Sequence, residues 1–252
     1  MALVLVTGAS TGLGLATAHA LADAGHDVVA HVRNADRLAG QDILDRVGEV
    51  VHGDLADLDQ TVRLAERVDG IGRFDAVVHN AGVISGTSVF AVNVVAPYVL
   101  TALMTPPGRT VVLSSSMHMT GSTGLDEVDF ARSGGRRRPY DDSKLYATAL
   151  TMALARLRPD ALAHAVDPGW VPTRMGGPSA SDSLDEGHRT QVWLATADPA
   201  EIEPRTGGYW YHRTPRQPHH AALDTAFQDD LLARLGAHTG IPLAPAGGPA
   251  HG

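Results

Sequence analysis

Six short, valine-rich apolar runs alternate along the chain with stretches of helical spacing, and this alternation restricts the possible folds more than any other feature. The runs are Leu3–Val6, Val28–Val32, Val50–His52, Phe74–His79, Thr110–Leu113 and Leu162–Val166. They lack strict polar alternation, as expected of strands covered on both faces by helices. Leu13–Ala24, Asp36–Val47, Leu58–Val68, Val89–Met104, Lys144–Leu157 and Asp185–Ala197 read as the helices between and after them. Strand, helix, strand implies parallel pairing through right-handed crossovers. The expected fold class is α/β, one doubly wound domain over residues 1–252 with a parallel, seven-stranded sheet.

The pattern holds to about residue 210, with one further helix expected at Thr225–Leu235 and a flexible tail from about residue 237. The net charge of −8 argues against a nucleic-acid surface, and the dense basic run, Arg136 to Arg138, reads as a solvated loop. With no cysteine, disulfides, thiolate catalysis and thiolate metal sites are excluded. His219 and His220 have no acidic or cysteine companions at ligand spacing, so no metal is expected. No apolar run approaches the roughly 18 residues that span a bilayer, and no targeting segment is evident, so a cytoplasmic, membrane-free protein is expected. Of the 20 basic residues, 19 are arginine and one is Lys144. Arginine cannot supply a compact ammonium on a flexible stem, which makes position 144 a candidate for chemistry.

Between the first strand and the first helix lie Gly8, Gly12 and Gly14. A sharp strand-to-helix turn needs positive φ, and a pyrophosphate reaches backbone amides only where no Cβ intrudes. The first turn of the following helix adds unpaired N–H groups and a positive dipole end. The stretch Thr7-Gly8-Ala9-Ser10-Thr11-Gly12-Leu13-Gly14 resembles that of the short-chain dehydrogenase/reductase family. So do Asp54-Leu55, Asn80-Ala81-Gly82, Tyr140-Asp141-Asp142-Ser143-Lys144 and Asp167-Pro168-Gly169-Trp170-Val171-Pro172-Thr173, in family order over residues 7–173. The resemblance is to the NADP-dependent, retinol-dehydrogenase-like branch, and it implies a Rossmann domain.

The resemblance implies that Gly8, Ser10, Thr11, Gly12, Leu13, Gly14, Asp54, Leu55, Asn80, Ala81, Gly82, Tyr140, Lys144, Pro168, Gly169, Val171 and Thr173 hold a nicotinamide dinucleotide. Four residues apart on a helix, Tyr140 and Lys144 share one face. A phenol near pKa ~10 is a weak base at neutral pH, so the ammonium is expected to lower it, with Tyr140 as general acid/base. Of Ser114, Ser115 and Ser116, alignment to the family selects Ser115 as the donor to the substrate oxygen, with a register slip left open. The resemblance also implies that Asn93 holds a proton-relay water. At the end of the second strand Val32 stands where an acidic residue would bind a ribose 2′-hydroxyl, and Arg33 follows, so NADP(H) is expected over NAD(H). Asp36 reads as the start of the next helix.

The chain departs from the pattern in two places. Only 13 positions separate Asn80 from Asn93, as if the loop and first turns of that helix were deleted, which leaves the relay and the substrate rim in doubt. The gap from Ser115 to Tyr140 is longer than usual, and the insertion Thr120 to Arg138 is expected at the substrate mouth. Met117, His118, Trp170, Met175 and Trp193 are candidate pocket residues, and Arg174 to Ser183 reads as a mobile lid. The expected activity is hydride transfer between nicotinamide and a ketone, aldehyde or secondary alcohol. A non-catalytic NADP(H)-binding sensor is the alternative. An epimerase or dehydratase is disfavoured by length and glycine spacing. A homo-oligomer is left open.

Overall fold

The computed structural model describes residues 1–34 and 46–243. The expected helix Asp36–Val47 lies almost wholly outside the described residues, as does the end of the tail.

Strands β1 (Leu3–Val6), β2 (Asp27–Val32), β3 (Glu49–His52), β4 (Ala76–His79), β5 (Arg109–Leu113), β6 (Leu162–Asp167), β7 (Gly208–Tyr211) and β8 (Thr214–Arg216) form one sheet. Their order is β3-β2-β1-β4-β5-β6-β7-β8. The first seven run parallel, as expected. Only β8 is antiparallel, pairing Tyr209 with Arg216 and Tyr211 with Thr214. Neither β7 nor β8 stands out in the sequence: β7 is four residues with an aromatic centre, and β8 contains a proline, tolerated on an edge. The order reverses at β1 and β4, which places a crevice at their carboxyl ends, where α/β sheets bind ligands.

Side chains alternate across the sheet. Val4, Val6, Val28, Ala30, Val78 and Val111 face α1 (Gly12–Asp23) and a later helix carrying Leu194. Leu5, Val29, Val51 and Val77 face the opposite layer, where α2 (Leu58–Asp69) supplies Leu64 and Val68. Both faces are apolar because both are covered, and each fully buried Val or Leu contributes about 1.5–3 kcal/mol.

The helix expected at Val89–Met104 contains a π-helical turn, Ala91–Val95, before α3 (Ala96–Leu103). The helix expected at Lys144–Leu157 starts earlier than the apolar spacing indicates: α4 runs Pro139–Leu157, with Pro139 at its first turn, where a missing N–H costs nothing. Then follow α5 (Leu184–Thr196), the short α6 (His220–Leu223) and α7 (Thr225–Thr239). The chain at residue 237 is therefore still helical and not yet a tail. Gly240, at φ 72°, caps α7, and the Tyr98 hydroxyl donates to the Ile241 carbonyl at 2.7 Å. No helix among the described residues is long and apolar enough to cross a membrane.

Candidate active site

The turn from β1 into α1 needs left-handed backbone, and Gly8 and Gly12 adopt φ of 68° and 58°. Gly14 is a glycine for a different reason. Its backbone is ordinary helix, but a Cβ there would overlap the Gly8 carbonyl and the Asn80 amide. The Asn80-Ala81 stretch braces this loop from behind: Asn80 N and Ala81 N donate to Thr7 Oγ1 at 3.0 and 3.1 Å, and Asn80 Nδ2 donates to the Thr7 carbonyl at 3.0 Å. A second brace comes from His31, which received no role from the sequence. Its Nδ1 accepts from Gly8 N at 3.2 Å, and its Nε2 lies 2.9 Å from the Gly53 carbonyl. Burial pushes its pKa down to about 4, so the neutral ring with its proton on Nε2 joins the glycine loop to the end of β3. A histidine in an otherwise valine-rich buried strand was the available signal.

A cavity of about 800 Å³ runs over these loops. Its wall contains every cofactor residue named from the sequence except Gly169 and Val171. Gly169 faces a neighbouring cavity, and Val171 is buried against Gly187 of α5. The residues present fit a dinucleotide. Gly8 leaves no room for a Cβ, which would come within 2.8 Å of Ala81 Cα, and Thr11, the N-cap of α1, makes no side-chain cap, so the first-turn N–H groups remain for an anion. Arg33 lies 3.9 Å from Asp54, both partly exposed. An exposed pair of this kind is worth roughly 0–1 kcal/mol, so the guanidinium is readily recruited by another anion.

Tyr140 and Lys144 line the cavity, and Ser115, next to the lining residue Ser114, approaches the Tyr140 hydroxyl. Lys144 Nζ lies 5.6 Å from the Tyr140 ring centroid and donates to the Leu113 carbonyl at 2.6 Å. Burial pushes the ammonium down to about 8, opposed by the Asp167 carboxylate. Tyr140 is pushed up to about 12, mainly by burial, with a hydrogen bond from Ser115 working in the other direction. In the chain alone burial dominates at the phenol. Among the serines, Ser114 is buried and bonds Thr148 Oγ1 at 2.7 Å, and Ser116 is exposed. Ser115 is extended, half-buried, and the one that reaches the phenol.

The shortened segment before Asn93 closes through Asn93 itself. Its Oδ1 accepts from Val83 N, and its Nδ2 donates to the Val83 carbonyl and to Ser143 Oγ, each at 2.9 Å. The side chain expected to hold a relay water is thus spent on fastening the loop to the π-turn and α4. Gly82 sits between the two groups: a Cβ there would lie 3.4 Å from Asn93 Oδ1 and 3.7 Å from Lys144 Nζ.

Other expectations need correction. Arg136 is not a solvated loop residue. Its Nε donates to Asp142 Oδ2 at 2.8 Å and its guanidinium reaches the Tyr146 hydroxyl at 3.1 Å, which ties the insertion to α4. Ser122 N donates to Asp142 Oδ1 and Thr120 Oγ1 to Asp141 Oδ2. Leu125 and Phe130 of the insertion, expected at the substrate mouth, pack into the core, and no residue of 120–138 lines either cavity. Trp193 is core, edge-on to Trp210 at 5.2 Å. His118, by contrast, does line a neighbouring cavity, held there with Nδ1 2.7 Å from the Ser115 carbonyl and Nε2 accepting from His219 N at 3.0 Å. Trp170, Met117 and Met175 are exposed beside the site, and the Tyr140 hydroxyl points to Met175 Sδ at 3.8 Å. The segment read as a lid is tied at both ends, since Trp170 donates through its indole to the Gly176 carbonyl and through its backbone N to Asp182.

The comparisons agree with this geometry. Residues 2–183 match the family model described as short chain dehydrogenase. The chain is 34% identical over 247 residues to an uncharacterised oxidoreductase of Emericella nidulans, covering 92% of this chain and 94% of the other. It is 29% identical over 198 residues to retinol dehydrogenase 13 of Homo sapiens, covering 69% and 60%. A solved structure from Mycobacterium paratuberculosis superposes with a TM-score of 0.79 at 25% identity, covering 96% and 95%. One from Beutenbergia cavernae, with bound NADP, superposes with a TM-score of 0.65 at 25% identity, covering 84% and 94%. With the glycine loop, the braced Asn-Ala-Gly stretch and the tyrosine–lysine helix in one crevice, the chain belongs to the short-chain dehydrogenase/reductase family of oxidoreductases.

Proposed function

We propose that the protein is an NADP(H)-dependent carbonyl reductase or alcohol dehydrogenase, acting on a ketone, aldehyde or secondary alcohol. The observation that carries this reading is the pairing of Tyr140 and Lys144 in the wall of the large cavity, with Ser115 beside the phenol. When bound, the dinucleotide supplies or accepts the hydride. In the reducing direction the Tyr140 hydroxyl donates its proton to the substrate oxygen, and a phenol near 12 holds that proton securely at neutral pH. Ser115 Oγ donates a hydrogen bond to the same oxygen as negative charge develops. Lys144, protonated below about pH 8, supplies the cation that makes loss of the phenolic proton bearable.

Arg33, at the end of β2 with no acidic residue in the position before it, supports a 2′-phosphate and hence NADP(H). The fit of NADP to the Beutenbergia relative points the same way. Stopped-flow NADPH oxidation against ketones and aldehydes is the test of activity, and paired specificity constants for NADPH and NADH test the cofactor. A constant for NADH equal to or above that for NADPH overturns the cofactor assignment. The second reading is a non-catalytic NADP(H) sensor, favoured by the single fact that Asn93 is consumed in holding the shortened loop. Tight NADPH binding with no turnover of any carbonyl would select it.

A further inference from the structure

A second cavity, of about 460 Å³, holds in its wall Asp167, whose charge acts on both Tyr140 and Lys144. Its wall holds Met119, just beyond the serine run, Asp167, the last residue of β6, Trp170, just beyond it, and Asp182, Tyr209 and Tyr211. The composition of this wall is unusual for the chain. The sequence has only 5 Tyr, 4 Phe and 3 Trp, yet three of those aromatics face this one space. Tyr209 is buried, with its ring 4.5 Å from that of His118, whereas Tyr211 is half-buried and Trp170 is 53% exposed.

Most of the exposed apolar side chains lie in or beside the walls of the two cavities. The exposed large hydrophobics among the described residues are Met1, Ile84, Met117, Met119, Trp170, Met175 and Leu223. Ile84 and Met175 line the dinucleotide cavity, Met119 and Trp170 line the second one, and Met117 follows the serine run. A collar of this kind marks a binding site, because isolated exposed apolar residues scatter whereas these converge. Trp170 is also rigid. Its indole N–H donates to Gly176 and its backbone N to Asp182 Oδ2, at 2.8 and 2.7 Å, so its face is presented without an ordering cost. Thioethers and indole together favour a flat aromatic partner over a saturated one.

The polar groups narrow the class further. Asp167 accepts from Gly169 N at 3.0 Å and from the Tyr209 hydroxyl at 3.2 Å, which fixes its carboxylate in the wall. Neither Asp167 nor Asp182 forms an ion pair among the described residues, and the Tyr211 hydroxyl has no hydrogen-bond partner among them. Against these carboxylates the wall sets one cation, Arg216, and the amide of Gln217, so its charge is nearly balanced, which suits a neutral ligand whose hydroxyl can donate to a carboxylate and accept from the guanidinium.

We propose that this cavity takes the ring system of the substrate, and that the substrate is a neutral aromatic ketone or aldehyde carrying a phenolic hydroxyl. The inference rests on the catalytic reading above, and the test separates the two. 4-Hydroxyacetophenone, acetophenone and cyclohexyl methyl ketone are titrated calorimetrically into the NADPH-loaded protein and assayed for NADPH oxidation. The hydroxylated ring should bind roughly tenfold more tightly than the saturated ring, the gain expected of one or two aromatic contacts. Tyr211→Leu should erase most of that preference, while Tyr211→Phe should keep the preference for the ring and lose only that for the hydroxyl. Neither should change the dissociation constant of NADPH, which also reports that the variants are folded. Binding of the phenol without NADPH oxidation sinks the catalytic reading and leaves the ring site standing. Turnover with equal affinity for both ring types, or with a preference that Tyr211→Leu does not move, overturns the ring site alone. Neither binding nor turnover of any of the three overturns both.

Discussion

Replacement of His31 by leucine tests whether the dinucleotide loop is held from outside itself. The imidazole accepts from Gly8 N and donates to the Gly53 carbonyl, and no water-exposed route replaces it, since the side chain is 2% exposed. Leucine leaves a donor and an acceptor without partners, at about 1–3 kcal/mol for each that stays buried. The loop can recover part of this by moving, and binding then has to restore the competent arrangement. If restoring it costs about 1.4–2.7 kcal/mol, the dissociation constant for NADPH rises roughly 10- to 100-fold. The assay is a fluorescence titration of NADPH at pH 7.5, with thermal unfolding in parallel. Two further variants dissect the brace. Asn at position 31 offers an acceptor near the place of Nδ1, and Gln offers a donor near the place of Nε2. If Gly8 is the partner that matters, His31→Asn should recover more affinity than His31→Gln, and kcat at saturating NADPH should change little in either. A leucine variant whose affinity stays within about twofold of the wild type refutes the reasoning, because the loop would then be self-supporting.

Tyr140→Phe is expected to keep NADPH affinity within about threefold and to lower kcat by at least ~100-fold, the usual contribution of a positioned acid/base, as measured by steady-state NADPH oxidation. Folding stability should fall with acid. His31, His79 and His164 have pKa values lowered to about 4 by burial, so between pH 6.5 and 4 the unfolded chain binds protons that the fold excludes. Stability is then complete above about pH 6.5 and declines as the pH falls, by up to about 3 kcal/mol for each histidine, and a urea midpoint that stays flat from pH 7 to 4.5 would contradict this. Gly14→Ala should cost at least about 1–3 kcal/mol by overpacking against backbone and should weaken NADPH binding. Gly25→Ala, where φ is +81° and nothing lies within 4 Å, should cost only the roughly 1–2 kcal/mol of a left-handed alanine and leave binding intact, as read by calorimetry and thermal melts. Arg136→Ala should loosen the segment 120–138 from α4, seen as faster amide exchange at Ser122, whose N–H otherwise donates to Asp142.

The sequence by itself determined the parallel sheet, its layers and most of the dinucleotide crevice, because these follow from local rules. Valine runs of strand length, helices between them and glycines at the turn are each legible over a few residues, and Tyr140 and Lys144 share a helix face by spacing alone. What only the tertiary structure decided depends on partners distant in the chain. Asn93 fastens the shortened loop because Val83 and Ser143 arrive beside it, His31 braces the glycine loop because Gly8 and Gly53 flank it, and Arg136 turns inward because α4 presents Asp142. The edge hairpin of β7 and β8 carries no periodic signal over so few residues, yet it contributes two aromatic walls of the second cavity. Proton affinities lie furthest from the sequence, since whether Lys144 lowers the phenol or burial raises it depends on how much water the assembled walls exclude.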